Sequence, residues 1–362
     1  MGSRTSRTPD IRAVYERHSR RKAGMLASGV GAVLLMGLYF TTLGVADTSF
    51  AQVLRALSAW VGGRLDSGGA ESAAYKIVVL MRLPRIAMAV LAGAALAVSG
   101  VGMQAVTGNA LVSPFTIGIS AAAAFGASMC IVFGAGTLVG GKVGIVLCAF
   151  AASLLCVALV YGISKKVGMA PETIVLTGIA LNYFFSALTS TVEFFAQEHR
   201  LAAVVHWTFG TFNGTTWGEV GAAFPFVAVC CCTVHRVALK LDAIASGDDE
   251  LVRSLGIDPG AVRMFVGVAS VLMTAAVISF TGVIGFVGLL APHIARLLFG
   301  GDHRFLIPFS AVCGAMLLLT ADAVGKTVLV PVSIPVGIVV SFLGVPLFIH
   351  LILSGRRRVR RC

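Results

Sequence analysis

Charged side chains are scarce in this chain. Only 12% of its 362 residues are Asp, Glu, Lys or Arg, against 57% hydrophobic residues and a mean hydropathy of +0.93. Too few polar groups remain to cover a water-facing surface, which excludes an ordinary soluble domain and makes the bilayer the main solvent. The long uninterrupted apolar runs also exclude a strand-built barrel. They leave an all-α polytopic bundle, in which each span of about 20 residues satisfies its own backbone hydrogen bonds.

Reactive constellations are missing too. There is no His-Glu-x-x-His zinc motif and no Gly-x-Ser-x-Gly elbow, Asp248-Asp249-Glu250 lacks a second spaced acidic set, and the seven histidines show no metal-ligand spacing. Thr320–Thr327 ends in Gly325-Lys326-Thr327, but Thr320 stands where a phosphate-binding loop needs its first glycine and no strand precedes it. This stretch reads as the outer end of a span. No catalytic residue, metal site or bound cofactor is therefore expected, and any ATP hydrolysis belongs to another chain.

A disulfide framework is not expected either. Cys130, Cys148, Cys156, Cys230, Cys231, Cys232 and Cys313 lie inside apolar runs and read as small core residues, and Cys362 receives no role. The first run follows a basic leader, residues 1–22, but is too long for a secretory h-region and reads as an uncleaved first helix.

Ten apolar runs are candidate spans: 23–45, 83–107, 115–138, 141–163, 172–195, 219–239, 262–281, 285–299, 305–326 and 333–353. They form one domain over 23–354, followed by a basic tail, 355–362. With both termini inside, 20 of the 28 Lys and Arg residues fall on the cytoplasmic side. Topology and anionic headgroups thus account for the formal charge of +12, and no nucleic acid is expected as a partner. Trp60, Trp207 and Trp217 fall in outer loops as an interfacial belt. Phe50–Val61 reads as an amphipathic surface helix, and His206–Trp217 as a second short helix along that surface.

Small residues at Gly93, Ala97, Gly100 and Ala105, and again at Gly282, Gly285 and Gly288, predict close helix contacts. Polar and Pro-Gly breaks at membrane depth are costly unless they face protein or a wet cavity. Three such breaks are expected to interrupt helices along a central path: Gln104, Asn109, Ser113 and Pro114; Gly285 with Pro292 and His293; and Pro335, Gly337, Gly344 and Pro346. Met103, Gln104, Asn109, Pro114, Pro335 and Gly337 are the candidate pathway residues. Glu193 and Asp322, the carboxylates that qualify for ion coupling, both lie near outer ends of their spans, and Asp322 is expected to pair with Lys326 at i,i+4. That placement disfavours an ion-coupled secondary transporter, the alternative of another class.

The segment 241–259 is a polar insert between two spans. Asp248 is suited to cap a short helix with Asp249 and Glu250 in its first turn, and Gly256 to end it in a left-handed conformation. On the outer side, Arg55, Arg64, Lys76 and Arg200 are candidates to meet acidic groups of a docking protein.

Several stretches together resemble the FecCD-type permeases of ABC importers for iron-siderophores, haem and vitamin B12. Arg82-Leu83-Pro84-Arg85 opens the second span, followed by Gly93 to Gly100 and Met103-Gln104. Further on come Arg253-Ser254-Leu255-Gly256, Gly285 to Leu289, Pro292 to Arg296, Gly301 to Arg304 and Pro335 to Ile338. Ala110, Ser333 and Ser341 depart from residues common in that family. The resemblance implies a type II ABC importer permease with about ten spans in the cytoplasmic membrane. The implied partners are a second permease subunit, identical or paralogous, two cytoplasmic ABC ATPase subunits and an extracytoplasmic solute-binding protein. It further implies that Asp249, Glu250, Arg253, Ser254, Leu255 and Gly256 form the coupling helix. An iron chelate is the expected cargo, with haem or cobalamin as alternatives.

Overall fold

The computed structural model describes residues 11–44, 48–62, 70–134, 141–245 and 247–359, and among them every regular element is a helix. In chain order they are α1 (Ile11–Phe40), α2 (Phe50–Val61), α3 (Ala70–Tyr75), α4 (Leu83–Thr107), α5 (Ile119–Phe133), α6 (Lys142–Val167), α7 (Pro171–Phe194), α8 (Glu198–Thr208), α9 (Trp217–Arg236), α10 (Ala238–Ile244), α11 (Asp249–Ser254), α12 (Pro259–Thr281), α13 (Val287–Phe299), α14 (His303–Thr327) and α15 (Val336–Val359).

Each of the ten expected spans has a helix, with shifted bounds. Among the described residues, seven helices are long and apolar enough to cross a membrane. α5 and α13, at 15 and 13 residues, rise only about 20 Å each, less than a hydrocarbon core of about 30 Å. α5 is short because Pro114–Ile117 forms a separate 3-10 turn, closed by Gly118 at φ +88°. α13 is short because 282–286 is not helical and Phe286 sits left-handed at φ +63°. Residues 135–138 lie outside the described residues.

Other expectations need correction. The last span is not interrupted: Pro335 precedes α15, and Gly337, Gly344 and Pro346 lie within a continuous helix. A proline forfeits one backbone bond, which neighbouring helices at membrane depth make tolerable. α1 begins at Ile11, so its first turns fall within the basic leader and its apolar part starts near Ser19. The second surface helix is α8, upstream of the expected His206–Trp217, because the glycines at 210 and 214 take left-handed φ and open a loop. Cys130, Cys156 and Cys230 are core residues as expected, whereas Cys232 is exposed.

α4 is the centre of the bundle. It packs against α9, α12, α13 and α14, and residues Ala95 through Val106 are all buried. Such contact requires small residues: a Cβ on Gly93 would strike the Gly314 carbonyl, and one on Gly100 the Gly288 carbonyl. Upstream, a π-helical turn at Lys76–Arg82 joins α3 to α4. Pro84 cannot donate to Leu80 and its ring crowds that carbonyl, so the widened turn absorbs the mismatch. The turn directs Arg82 inward, where Nη1 donates to the Thr41 carbonyl at 2.6 Å.

Candidate functional site

α11 is a six-residue helix whose ends are both closed by side-chain identity. Asp248 Oδ1 accepts from the amides of Glu250 at 3.0 Å and Leu251 at 3.1 Å. At the other end Gly256, at φ +76°, donates to the Arg253 carbonyl at 2.9 Å. Asp249, Glu250, Arg253, Ser254, Leu255 and Gly256 are thus brought together in one compact unit. Val252 is its buried anchor, while Leu251 and Leu255 are 52% and 63% exposed.

Sequence reasoning missed how this helix is tied down. Both oxygens of Asp249 accept from Arg263 of α12, each at 2.7 Å, and Arg263 Nε donates to the Val106 carbonyl of α4 at 3.2 Å. Hydrogen bonding to the guanidinium holds the Asp249 carboxyl below the usual carboxylate range, against a smaller opposing effect of desolvation. A lone arginine one turn into an apolar run was the only available signal.

The candidate pathway residues do not share one cavity. Met103 is fully buried in the core beside Tyr161, and Pro114 is buried beside the Gly288 backbone. Gln104 is buried too: its Nε2 donates to the Gly288 carbonyl at 3.3 Å and its Oε1 accepts from Arg296 at 3.1 Å. These three side chains are packed inside the bundle. Asn109 lines a cavity of about 330 Å³ with Thr107, Pro171 and Glu172, and its side chain accepts from the Leu111 amide. Gly337 lines a different one of about 610 Å³, with Thr208, Phe209, Phe286, Ser341 and Phe342, and Pro335 stands just before the start of α15.

At the end of the bundle opposite α11, Asp322 is 3% exposed and held between two cations. Lys326 meets it at 2.6 Å, the expected local pair, and Arg85 meets it at 2.7 Å, a contact that sequence spacing did not suggest. Arg85 also donates to Asn213 and Ser333. Arg82, Arg85 and Lys326 line a cavity of about 470 Å³ with Asn213 and Ser333. Among the described residues, Arg85 and Lys326 set two cations against the one carboxylate of Asp322.

None of the described docking candidates Arg55, Lys76 and Arg200 lines that cavity. Arg55 is exposed on α2 and Lys76 on the π turn, while Arg200 of α8 donates to the Val132 carbonyl at the end of α5. Arg64 lies outside the described residues.

Residues 32–354 match the FecCD transport family. The chain is 32% identical over 347 residues to the Fe(3+)-citrate import system permease protein YfmD of Bacillus subtilis, covering 95% of this chain and 99% of that protein. It is 35% identical over 286 residues to the cobalamin import system permease protein BtuC of Halobacterium salinarum, covering 78% and 75%. Among solved structures it is similar, at a TM-score of 0.80 and 26% identity, to a metal-chelate type ABC transporter in an inward-facing conformation, over 92% of this chain and 99% of that one.

Proposed function

The chain belongs to the FecCD transport family and is a multi-pass permease subunit of an ABC importer, and from that premise we propose that it carries an iron chelate inward across the cytoplasmic membrane. The choice of cargo is supported by the near-complete match to a ferric-citrate permease and by the fold shared with a metal-chelate transporter. The cavity beside α15 suits such a cargo. Phe209, Phe286 and Phe342 offer broad contact and Thr208 and Ser341 offer hydroxyls, so a complex whose metal is already coordinated can pass without being stripped.

The single observation that carries the mechanism is α11: capped at both ends, with Leu251 and Leu255 exposed. In this reading α11 lies on the cytoplasmic face, with both chain termini, as the excess of basic residues on that side favours. Two permease subunits each present α11 to an ABC ATPase, and closure of the ATPases pushes the helix as a rigid body. Outside, a solute-binding protein docks through acidic groups. Arg85 and Lys326, which line one cavity, are better placed to receive them than Arg55, Lys76 and Arg200, none of which lines it.

Co-purification with the ATPase and binding protein, then reconstitution in liposomes, tests this. ATP-dependent uptake of ferric citrate or a ferric siderophore, with none of cobalamin or haemin, is the expected result. Uptake of cobalamin or haemin alone overturns the cargo, and isolation of this chain without an ATPase from nucleotide-trapped membranes overturns the coupling role of α11.

A further inference from the structure

We infer that Arg263 is a positioning residue for transport: its guanidinium joins the coupling helix α11 to the C-terminal end of α4, so that displacement of α11 is delivered to the centre of the bundle. The inference rests on the coupling reading of α11 given above.

α11 has little else to hold it. Helices of this length do not persist alone in water, and only one of its side chains, Val252, is buried. Its position is set instead by Asp249, whose two oxygens meet two nitrogens of Arg263 in a parallel pair, each at 2.7 Å. Arg263 is 6% exposed, which leaves its fork a single aim.

The third bond explains why the residue is arginine. The last carbonyls of a helix have no partner within it. At the end of α4, Gly108, at φ +61°, turns the chain so that the Gly108 amide donates to Ala105 and the Asn109 amide to Gln104. The Val106 carbonyl is taken by Arg263 Nε at 3.2 Å. One planar group therefore binds a carboxylate along one edge and a helix terminus along another, which the point charge of a lysine cannot do at once.

From there the connection continues. Two residues before Val106, buried Gln104 holds the Gly288 carbonyl and Arg296, both on α13. α13 begins directly after left-handed Phe286, which lines the 610 Å³ cavity beside α15. A polar chain thus runs from α11 through Arg263, α4 and Gln104 to the helix break at that cavity.

The test uses the whole complex in liposomes and reads substrate taken up per ATP hydrolysed, with assembly checked by co-purification of the ATPase. Arg263→Lys and Asp249→Asn should each lower that ratio about tenfold, and the double variant should be no worse than either single one, because both remove one link. A second readout needs no ATPase. In detergent, amide exchange at Leu251 and Val252 should quicken about tenfold in Arg263→Lys, with α4 and α12 unchanged. An unchanged ratio in Arg263→Lys beside a coupled wild type, unchanged exchange at α11, or effects that multiply in the double variant would each overturn the inference alone. A wild-type complex without ATP-driven uptake overturns the coupling reading, and this inference with it.

Discussion

Replacing Asp322 with Asn removes a negative charge that two cations meet within 3 Å. Arg85 and Lys326 meet Asp322 at 2.7 and 2.6 Å, and their side chains are only 13% and 10% exposed. Asn is the same size and leaves the packing intact, so the loss is electrostatic. Breaking a buried pair by removing one partner costs about 3–5 kcal/mol, since the charge left behind has neither water nor a counter-ion. Here two cations are left and they also repel each other, which places the expected loss at the upper end, about 4–5 kcal/mol. The assay is reversible unfolding in mixed micelles of increasing SDS fraction, followed by tryptophan fluorescence. The triple change Arg85→Met, Asp322→Leu, Lys326→Met should recover most of the loss, because apolar groups of similar volume carry no desolvation penalty. It should nevertheless lower uptake, by removing the cations offered to the binding protein. If Asp322→Asn unfolds within about 0.5 kcal/mol of the wild type, the three groups are not a desolvated cluster and the argument fails.

Alanine at Gly100 would place its Cβ against the Gly288 carbonyl, so α4 and α13 must separate, at a cost of about 1–3 kcal/mol or more in the same unfolding assay. Alanine at Gly162 in α6, where a Cβ meets nothing within 4 Å, should be neutral or stabilising by about 0.5–1 kcal/mol; equal effects at the two sites would contradict the close crossing. Valine at Gly256 has room but must adopt φ +76°, a local strain of about 1–3 kcal/mol, so uptake per ATP should fall while the protein still inserts; normal coupling would remove Gly256 from the helix end. Because Asp249 is held below its ordinary pKa by Arg263, with Arg253 adding to the effect, the α11 link is complete above the usual carboxylate range and is lost as pH falls through the depressed value. Exchange at Leu251, corrected for intrinsic rates, should therefore stay flat from about pH 7 to pH 5, and a rise in that interval would show that Asp249 is not held in this way.

What was legible in the residues themselves was local. Runs of apolar residues placed a helix at each of the ten spans, because a segment in lipid must satisfy its own backbone. Asp248 and Gly256 marked the ends of α11, because caps act within a few residues of themselves. The Asp322–Lys326 pair was legible for the same reason, being one helical turn apart. The misreadings came where a local signal had two outcomes. Pro346 and the glycines of α15 were compatible with a broken helix or an unbroken one, and the surrounding bundle kept it whole.

Composition and pattern by themselves determined a polytopic helical bundle, its capped insert and its basic-residue asymmetry. Only the tertiary structure decided that Arg85 reaches Asp322 across 237 residues, that Arg263 reaches Val106 across 157, and that Met103 and Gln104 are packed inside the bundle. Those outcomes depend on how far each helix is rotated about its axis when glycine faces bring backbones into contact. That rotation belongs to the whole bundle, and no single stretch of chain carries it.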